Sequence, residues 1–414
     1  MSTGSLTKNE KQRRRIFILI LTCLYYSYER WTQTLTPFIQ WGLRPVPDLY
    51  GMLTLNSIGF GAMVIGTFVS VFMIESIGGK KTAIVCTVVV SIYQMILPKV
   101  GSTYGFAGVQ LLLLFNCMPT IIDVLISSLM GEFADLNEVT AIITQQNVPY
   151  SIALALGPYF AIQSLFILSP NIETSQFACG ILHLISIGLV VSFMPGDNQE
   201  RTKTYQSANL STYFELLRNQ NVSIILLLVA LIYGPSSCYD QVIRSQLSTH
   251  MLITPSDMCK LALLVGISAL LTSLFILPYL QRRLGPQTIL QLSATLLAMS
   301  YLFLSQVTTF EKYLIGCPFQ AIASSMAVGS LSAQLMTAVP KIHFAKAAAL
   351  NRVVQLASMA ITPILTGFYI EESEIALLCY VASLLTILSI PIVHRYGNFM
   401  KIHTMNLPTR ARMD

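Results

Sequence analysis

The chain has 414 residues, 54% of them hydrophobic and only 11% charged, with 25 Lys and Arg against 19 Asp and Glu and a mean hydropathy of +0.64. An ordinary soluble chain is about one quarter charged, so this one cannot cover itself with solvated side chains, and a soluble enzyme is excluded. The 23 Gly and 18 Pro follow no G-X-Y or heptad period, which excludes collagen, coiled coil and disorder.

A bilayer core needs about 20 mainly apolar residues per helix. Runs of that kind begin near Ile16, Met52, Thr82, Gly105, Ala141 and Phe177, then near Val222, Cys259, Gln287, Tyr313, Ala345 and Ile375. The expected fold is therefore an all-α membrane protein of twelve transmembrane helices in two six-helix halves. Its parts are a basic N-terminus (1–15), a first half (16–194), a polar mid-chain linker (195–221), a second half (222–394) and a tail (395–414). The apolar run after Arg13, Arg14 and Arg15 ends in Tyr-Glu-Arg-Trp, unlike a cleavable signal peptide, so the first span is expected to stay.

With the N-terminus inside, the cytoplasmic segments hold most of the basic residues, including Lys80, Lys81, Arg218, Arg282, Arg283 and Arg395. The other side holds Arg44, Lys99, Arg244, Lys260 and Lys312. This bias sets both termini in the cytoplasm, in a plasma or organelle membrane. The formal net charge of +6 thus belongs to membrane topology, and no nucleic-acid partner is expected. The sequons at Asn209 and Asn221 fall in the cytoplasmic linker and are expected to be unused. The eight cysteines, spread about one per span without CxxC pairs or clustered His, read as packing residues rather than disulfides or metal ligands.

Internal duplication is the main organisational signal. Glu75-Ser-Ile-Gly78-Gly-Lys-Lys links spans two and three, and Gln281-Arg-Arg-Leu-Gly285-Pro links spans eight and nine, about half the chain apart. Gly157-Pro158 in span five and Thr362-Pro363 in span eleven have nearly the same offset. Pro158 and Pro363 break the hydrogen-bond ladder of their helices, so bends are expected there.

These residues resemble the major facilitator superfamily of secondary transporters. Its loop between spans two and three reads G-x-x-x-D-R-x-G-R-R/K. Glu75 matches the acid, Gly78 the glycine and Lys80 a basic residue, while Val71, Ser76 and Gly79 depart from it. Ala153-Leu-Ala-Leu-Gly157-Pro158 is similar to the G-x-x-x-G-P signature of proton-coupled drug antiporters. Leu49-Tyr-Gly-Met-Leu-Thr-Leu-Asn-Ser-Ile-Gly-Phe-Gly, Phe214-Glu-Leu-Leu-Arg-Asn-Gln-Asn-Val and Ile361-Thr-Pro363-Ile-Leu-Thr-Gly367 are similar to its organic-cation-transporter-like branch, of the solute carrier 22 member 18 type. The resemblance implies a central cavity lined by spans one, four, seven and ten. It also implies a cytoplasmic latch from Glu75, Gly78, Lys80, Asp135, Arg282, Arg283 and Gly285; a solvated loop is the other reading of these charges.

A charge in hydrocarbon costs on the order of 3 kcal/mol, so each ionisable residue within a span is a candidate for function. These are Glu29 and Arg30 in span one, Asp123 in span four, Asp240 in span seven and Arg352 in span eleven. Tyr25, Tyr28, Glu29, Thr32, Gln33 and Thr36 fall on one helical face, with Arg30 and Trp31 off it. Asn116, Thr120, Asp123 and Ser127 form a similar stripe, as do Tyr233, Asp240 and Arg244. Gln320 lies in span ten, and Asn351, Gln355, Ser358 and Thr362 in span eleven. The alternative for each stripe is helix-helix hydrogen bonding. The expected site comprises these acids and arginines with Tyr25, Tyr28, Gln33, Asn116, Tyr233, Gln320 and Gln355, and a static Glu29–Arg30 ion pair is the competing reading.

Three acids against two arginines leave one negative charge, which points to an organic cation, with cation–π contacts from the tyrosines. The expected activity is proton-coupled antiport of a small organic solute by alternating access, carried by a monomer without cofactor or metal. A sensor or scaffold with a decayed transporter fold is the main alternative. A channel fits paired halves less well. No GxxxxGK[ST] loop for an ATP-driven pump and no HExxH motif for a metalloprotease are present.

Overall fold

A computed structural model of the chain describes residues 8–41, 43, 49–132, 139–168, 171–194, 210–250, 255–339, 343–369 and 375–405, with side chains at most of them. The elements in order are α1 (Lys8–Trp41), α2 (Leu49–Ile77), α3 (Gly79–Leu113), a 3₁₀ turn (Leu114–Asn116), α4 (Cys117–Glu132), α5 (Val139–Ile167) and α6 (Ile172–Phe193). After the linker come α7 (Leu210–Arg218), α8 (Gln220–His250), α9 (Pro255–Leu271), a π turn (Thr272–Ile276), α10 (Leu277–Arg283), α11 (Pro286–Leu304), α12 (Phe310–Thr337), α13 (Phe344–Tyr369) and α14 (Ile375–Met405). Within α3 the helix breaks at Gly105, where φ is 61° and ψ −145°. The residues before Gly105 form the third span, and those after it join α4 as the fourth. Segments α9 and α10 run on through the π turn as the eighth. Grouped in this way, the described helices form twelve segments, with small offsets from the edges expected from hydropathy.

Among the described residues nine helices are long and apolar enough to cross a membrane on their own, while α8 offers only the shorter apolar stretch Gln220–Ser236. The molecule is thus an integral, multi-pass membrane protein. Its outward faces are apolar, with Phe72, Phe166 and Ile167 each more than 70% exposed, as lipid contact requires. Most polar side chains inside the helices are satisfied within their own turn. Thr22, Thr87, Ser91, Thr272 and Thr386 each donate to the carbonyl four residues back, which removes their cost in hydrocarbon.

Duplication shows in the packing. In the first half α1 packs on α5 and α6, α3 on α6, and α2 on α4. In the second half α8 packs on α13 and α14, α11 on α14, and α9 on α12. Each contact is the counterpart of one in the other half. The halves meet through α2 with α13 and α5 with α9, a pair of contacts that the same exchange relates. The approach is close at small residues. A Cβ on Gly266 of α9 would lie 2.8 Å from the backbone nitrogen of Ala155 on α5, and one on Gly66 of α2 would lie 2.3 Å from the carbonyl oxygen of Cys117. Lipid tails are as apolar as leucine, so such contact, rather than the hydrophobic effect, holds membrane helices together.

One continuous apolar core joins the halves. It includes Ile18 and Leu21 of α1, Ile121 and Leu125 of α4, Val222 and Ile225 of α8, and Leu331 and Leu335 of α12. These residues lie toward the end of the bundle where α1 and α8 begin. Smaller clusters remain within one half: Ile39, Leu43, Leu55 and Leu97 in the first, Leu277, Ile289 and Met326 in the second. The polar linker segment contains α7, which buries Tyr213 and Leu216 in the shared core and leaves Phe214 exposed. Asn221, expected in the linker, is the second residue of α8, and Asn209 lies outside the described residues. The cysteines described (Cys23, Cys86, Cys117, Cys179, Cys317 and Cys379) are free thiols.

Candidate functional site

Above the shared core the halves enclose a central cavity of about 320 Å³. Its polar wall is built by Glu29, Arg30, Gln33 and Thr34 of α1, Tyr150 and Ser151 of α5, Tyr233 of α8, Gln320 of α12 and Arg352 of α13. Phe60, Met63, Leu154, Leu261, Val265 and Met359 are among its apolar residues.

Spacing along α1 creates the central network. Residues three and four apart share a helix face, and Gln33 uses both relations. Its Nε2 donates to Glu29 Oε1 at 2.9 Å, and its Oε1 accepts from Arg30 Nη1 at 2.7 Å. Arg30 Nη2 donates to the Tyr150 hydroxyl, and the guanidinium lies 4.9 Å from the centre of that ring. Tyr26 meets the same ring edge-on at 5.3 Å. Glu29 and Arg30 are thus linked through an amide. Across the cavity Arg352 Nη1 donates to Gln355 Oε1 at 3.4 Å.

Gly157 lets α1 come this near. A Cβ there would stand 2.6 Å from both Arg30 Cβ and the Ser27 carbonyl oxygen, and 3.0 Å from the Trp31 nitrogen. In the second half the glycine sits on the other partner: a Cβ on Gly234 of α8 would meet Thr362 Oγ1 of α13 at 3.3 Å. Pro158 lines the cavity, while Pro149 and Pro158 lie inside α5 and Pro363 inside α13.

The face expected on α1 divides in two. Tyr25 and Tyr28, placed in the cavity by sequence spacing, instead pack against His183 of α6 with ring centres 4.9 and 5.0 Å away. Tyr25 shares a hydrogen bond with Thr87, and His183 Nδ1 lies 3.1 Å from Gln94 Oε1. Trp31 Nε1 donates to Ser175 at 3.1 Å and Thr32 Oγ1 to Gln176 at 3.3 Å, which fastens α1 to α6. Arg30, expected off the stripe, faces the cavity. The reason is packing: α6 takes one edge of the polar arc and α5 with the cavity the other, which periodicity alone cannot apportion.

Glu29, Arg30, Gln33, Tyr233, Gln320 and Arg352 are brought together as cavity-lining residues. Gln355 is buried behind Arg352, and Asn351 donates to Ser332 at 3.2 Å between α13 and α12. The side chains of Asn116, Asp123, Asp240 and Glu75, and all of Asp135, lie outside the described residues. Lys80 reaches the Val191 carbonyl at 2.6 Å, at the C-terminal end of α6. Arg282 and Arg283 are exposed, with Arg283 over the Tyr279 ring at 4.8 Å. Gly78 and Gly285 precede equivalent helices, α3 and α11. Tyr150 is the main residue that sequence reasoning missed. Its signal was a hydroxyl-bearing pair, Tyr150-Ser151, beside Pro149 in an apolar run. No group of three His, Cys, Asp or Glu that could hold a metal forms among the described residues.

No protein-family model and no curated protein matches the amino-acid sequence. The fold is similar to that of the human organic anion transporter MFSD10 (TETRAN), with TM-score 0.72 at 12% identity, covering 92% of this chain and 99% of that one. It is similar also to a bacterial homologue of the iron transporter ferroportin in an outward-facing state (TM-score 0.71, 13% identity, 92% and 99% covered) and to a POT family transporter in complex with a thioalcohol-conjugated peptide (0.72, 10%, 94% and 96%). At these identities the likeness concerns architecture. The chain has the major facilitator fold, twelve helices in two halves around a central cavity.

Proposed function

We propose that the protein is a secondary active transporter that moves a small organic solute by alternating access, with Glu29 as the group whose protonation is coupled to the cycle. The observation that carries this reading is the central cavity, enclosed between duplicated halves and holding Glu29, Arg30 and Arg352 at their seam. Ionisable groups at that depth are costly, and two duplicated halves packed around a central site form the arrangement that rocks in alternating access. The neighbouring folds are those of an organic anion transporter, a bacterial homologue of an iron transporter, a nucleoside transporter and a POT family transporter in complex with a peptide conjugate, which supports transport and leaves the cargo open.

The sequence pointed to antiport of a cation, in which cargo and proton compete for a carboxylate. That count included Asp123 and Asp240, whose side chains lie outside the described residues. The stretches similar to the organic-cation-transporter-like branch supply no charged side chain to the cavity. The coupling proposal therefore rests on Glu29 alone. In proteoliposomes, flux of a broad solute panel is expected to respond to an imposed pH gradient in the native protein, and Glu29→Gln is expected to transport without that response. Unchanged gradient dependence in Glu29→Gln removes the coupling role; absence of flux for every solute removes the transporter reading.

A further inference from the structure

The transport reading leaves the cargo class open, and the inference that follows rests on that reading. Arg30 on α1 and Arg352 on α13 line one cavity from different halves of the molecule. Among the described side chains lining it, a single carboxylate, Glu29, stands against these two guanidinium groups. Over these described side chains the formal balance is one positive charge.

The hydrogen bonds of Arg30 go to neutral groups: Nη1 donates to the Gln33 amide oxygen and Nη2 to the Tyr150 hydroxyl, while its buried Nε has no hydrogen-bond partner among the described residues. Taking an ion out of water costs several kcal/mol. A bound anion lowers that cost for both arginines at once. The planar guanidinium fork fits a carboxylate or another flat anion, which can receive two parallel N–H bonds. Much of the remaining wall is apolar, from residues such as Phe60, Met63, Leu261 and Met359. The volume of about 320 Å³ suits a ligand at the small end of drug size.

We propose that the cavity binds an amphipathic organic anion, its carboxylate bridging Arg30 and Arg352 and its apolar body against α2, α9 and α13. The anion thereby ties the first half to the second at the seam where they must move.

The test uses the full chain in lipid nanodiscs and three probes on one scaffold: 2-naphthylacetate, its neutral amide 2-naphthylacetamide, and 2-(2-naphthyl)ethylammonium. Ligand that binds the folded state raises the melting temperature. The carboxylate is expected to stabilise the protein and the amide and ammonium to do so far less. Arg352→Gln and Arg30→Gln are each expected to weaken carboxylate binding at least about tenfold, the loss of one charged hydrogen-bonding group, and Arg352→Lys, which keeps charge without the fork, to fall between. If Arg30→Gln does not fold, the Arg352 pair decides. Equal or stronger stabilisation by the ammonium, no stabilisation by the carboxylate, or undiminished carboxylate binding in Arg352→Gln overturns the proposal. Carboxylate binding without flux in proteoliposomes would leave the anion site standing and remove the transporter reading; flux of the amide or ammonium without carboxylate binding would do the reverse.

Discussion

A single missing methyl group sets the position of one of the cavity's charges. Gly157 allows α1 and α5 to touch, and a Cβ there meets backbone atoms of Ser27 and Trp31 as well as Arg30 Cβ, none of them able to swing aside like a side-chain tip. Gly157→Ala is therefore expected to cost about 1–3 kcal/mol through overpacking and to shift Arg30 away from Tyr150, read as a lower melting temperature. Gly188, on the exposed side of α6 with nothing within 4 Å of a Cβ, supplies the contrast: Gly188→Ala is expected to be neutral or to gain up to about 1 kcal/mol of helix propensity. At this scale the sequence disclosed which side chains were expensive, because Glu29, Arg30 and Arg352 stand out in any apolar run. It did not disclose which way they point. Tyr25 and Arg30 exchanged their expected places because hydrogen bonds to α6, through Trp31 and Thr32, fix the rotation of α1 about its axis.

Between helices, backbone conformation distinguishes two loops that look like repeats of each other. Gly78 has φ 90° and ψ 155°, a region open to glycine almost alone, whereas Gly285 has φ −70° and ψ 154°, which any residue adopts. Gly78→Ala is expected to destabilise the protein by about 1–3 kcal/mol, while Gly285→Ala is expected to be nearly silent; thermal melts of the two purified variants compare them directly. The spans were legible because most are runs near bilayer length, and the fourth was expected to begin near Gly105, where the helix breaks. Helix α7 was not legible, since nine residues fall below any span-length signal. Nor was the π turn at Thr272–Ile276, which leaves no mark on hydropathy.

For the molecule as a whole, duplication was readable from two glycine and proline pairs at one offset, but the surfaces on which the halves meet were not. Small residues are spread through every span, and only the fold shows that Gly266 and Ala155 bring α9 and α5 into backbone contact across the seam. Gly266→Leu is expected to hold the halves apart there and lower flux at least tenfold, a barrier increase of about 1.4 kcal/mol, while circular dichroism stays that of the helical native protein. Unchanged flux would show that this contact is not used in the cycle. The uneven apolarity of the spans bears on how the protein is made. Among the described residues α1 and α8 fall short of self-sufficient membrane helices, and α1 brings Glu29 and Arg30 with it. A nascent chain that released α1 into lipid alone would strand those groups, so its lasting placement has to wait until α5, carrying Tyr150, has been synthesised. Likewise α8 has to wait for α13. Biogenesis is then two successive acts of assembly, each completed only when the fifth helix of a set arrives to shelter the first.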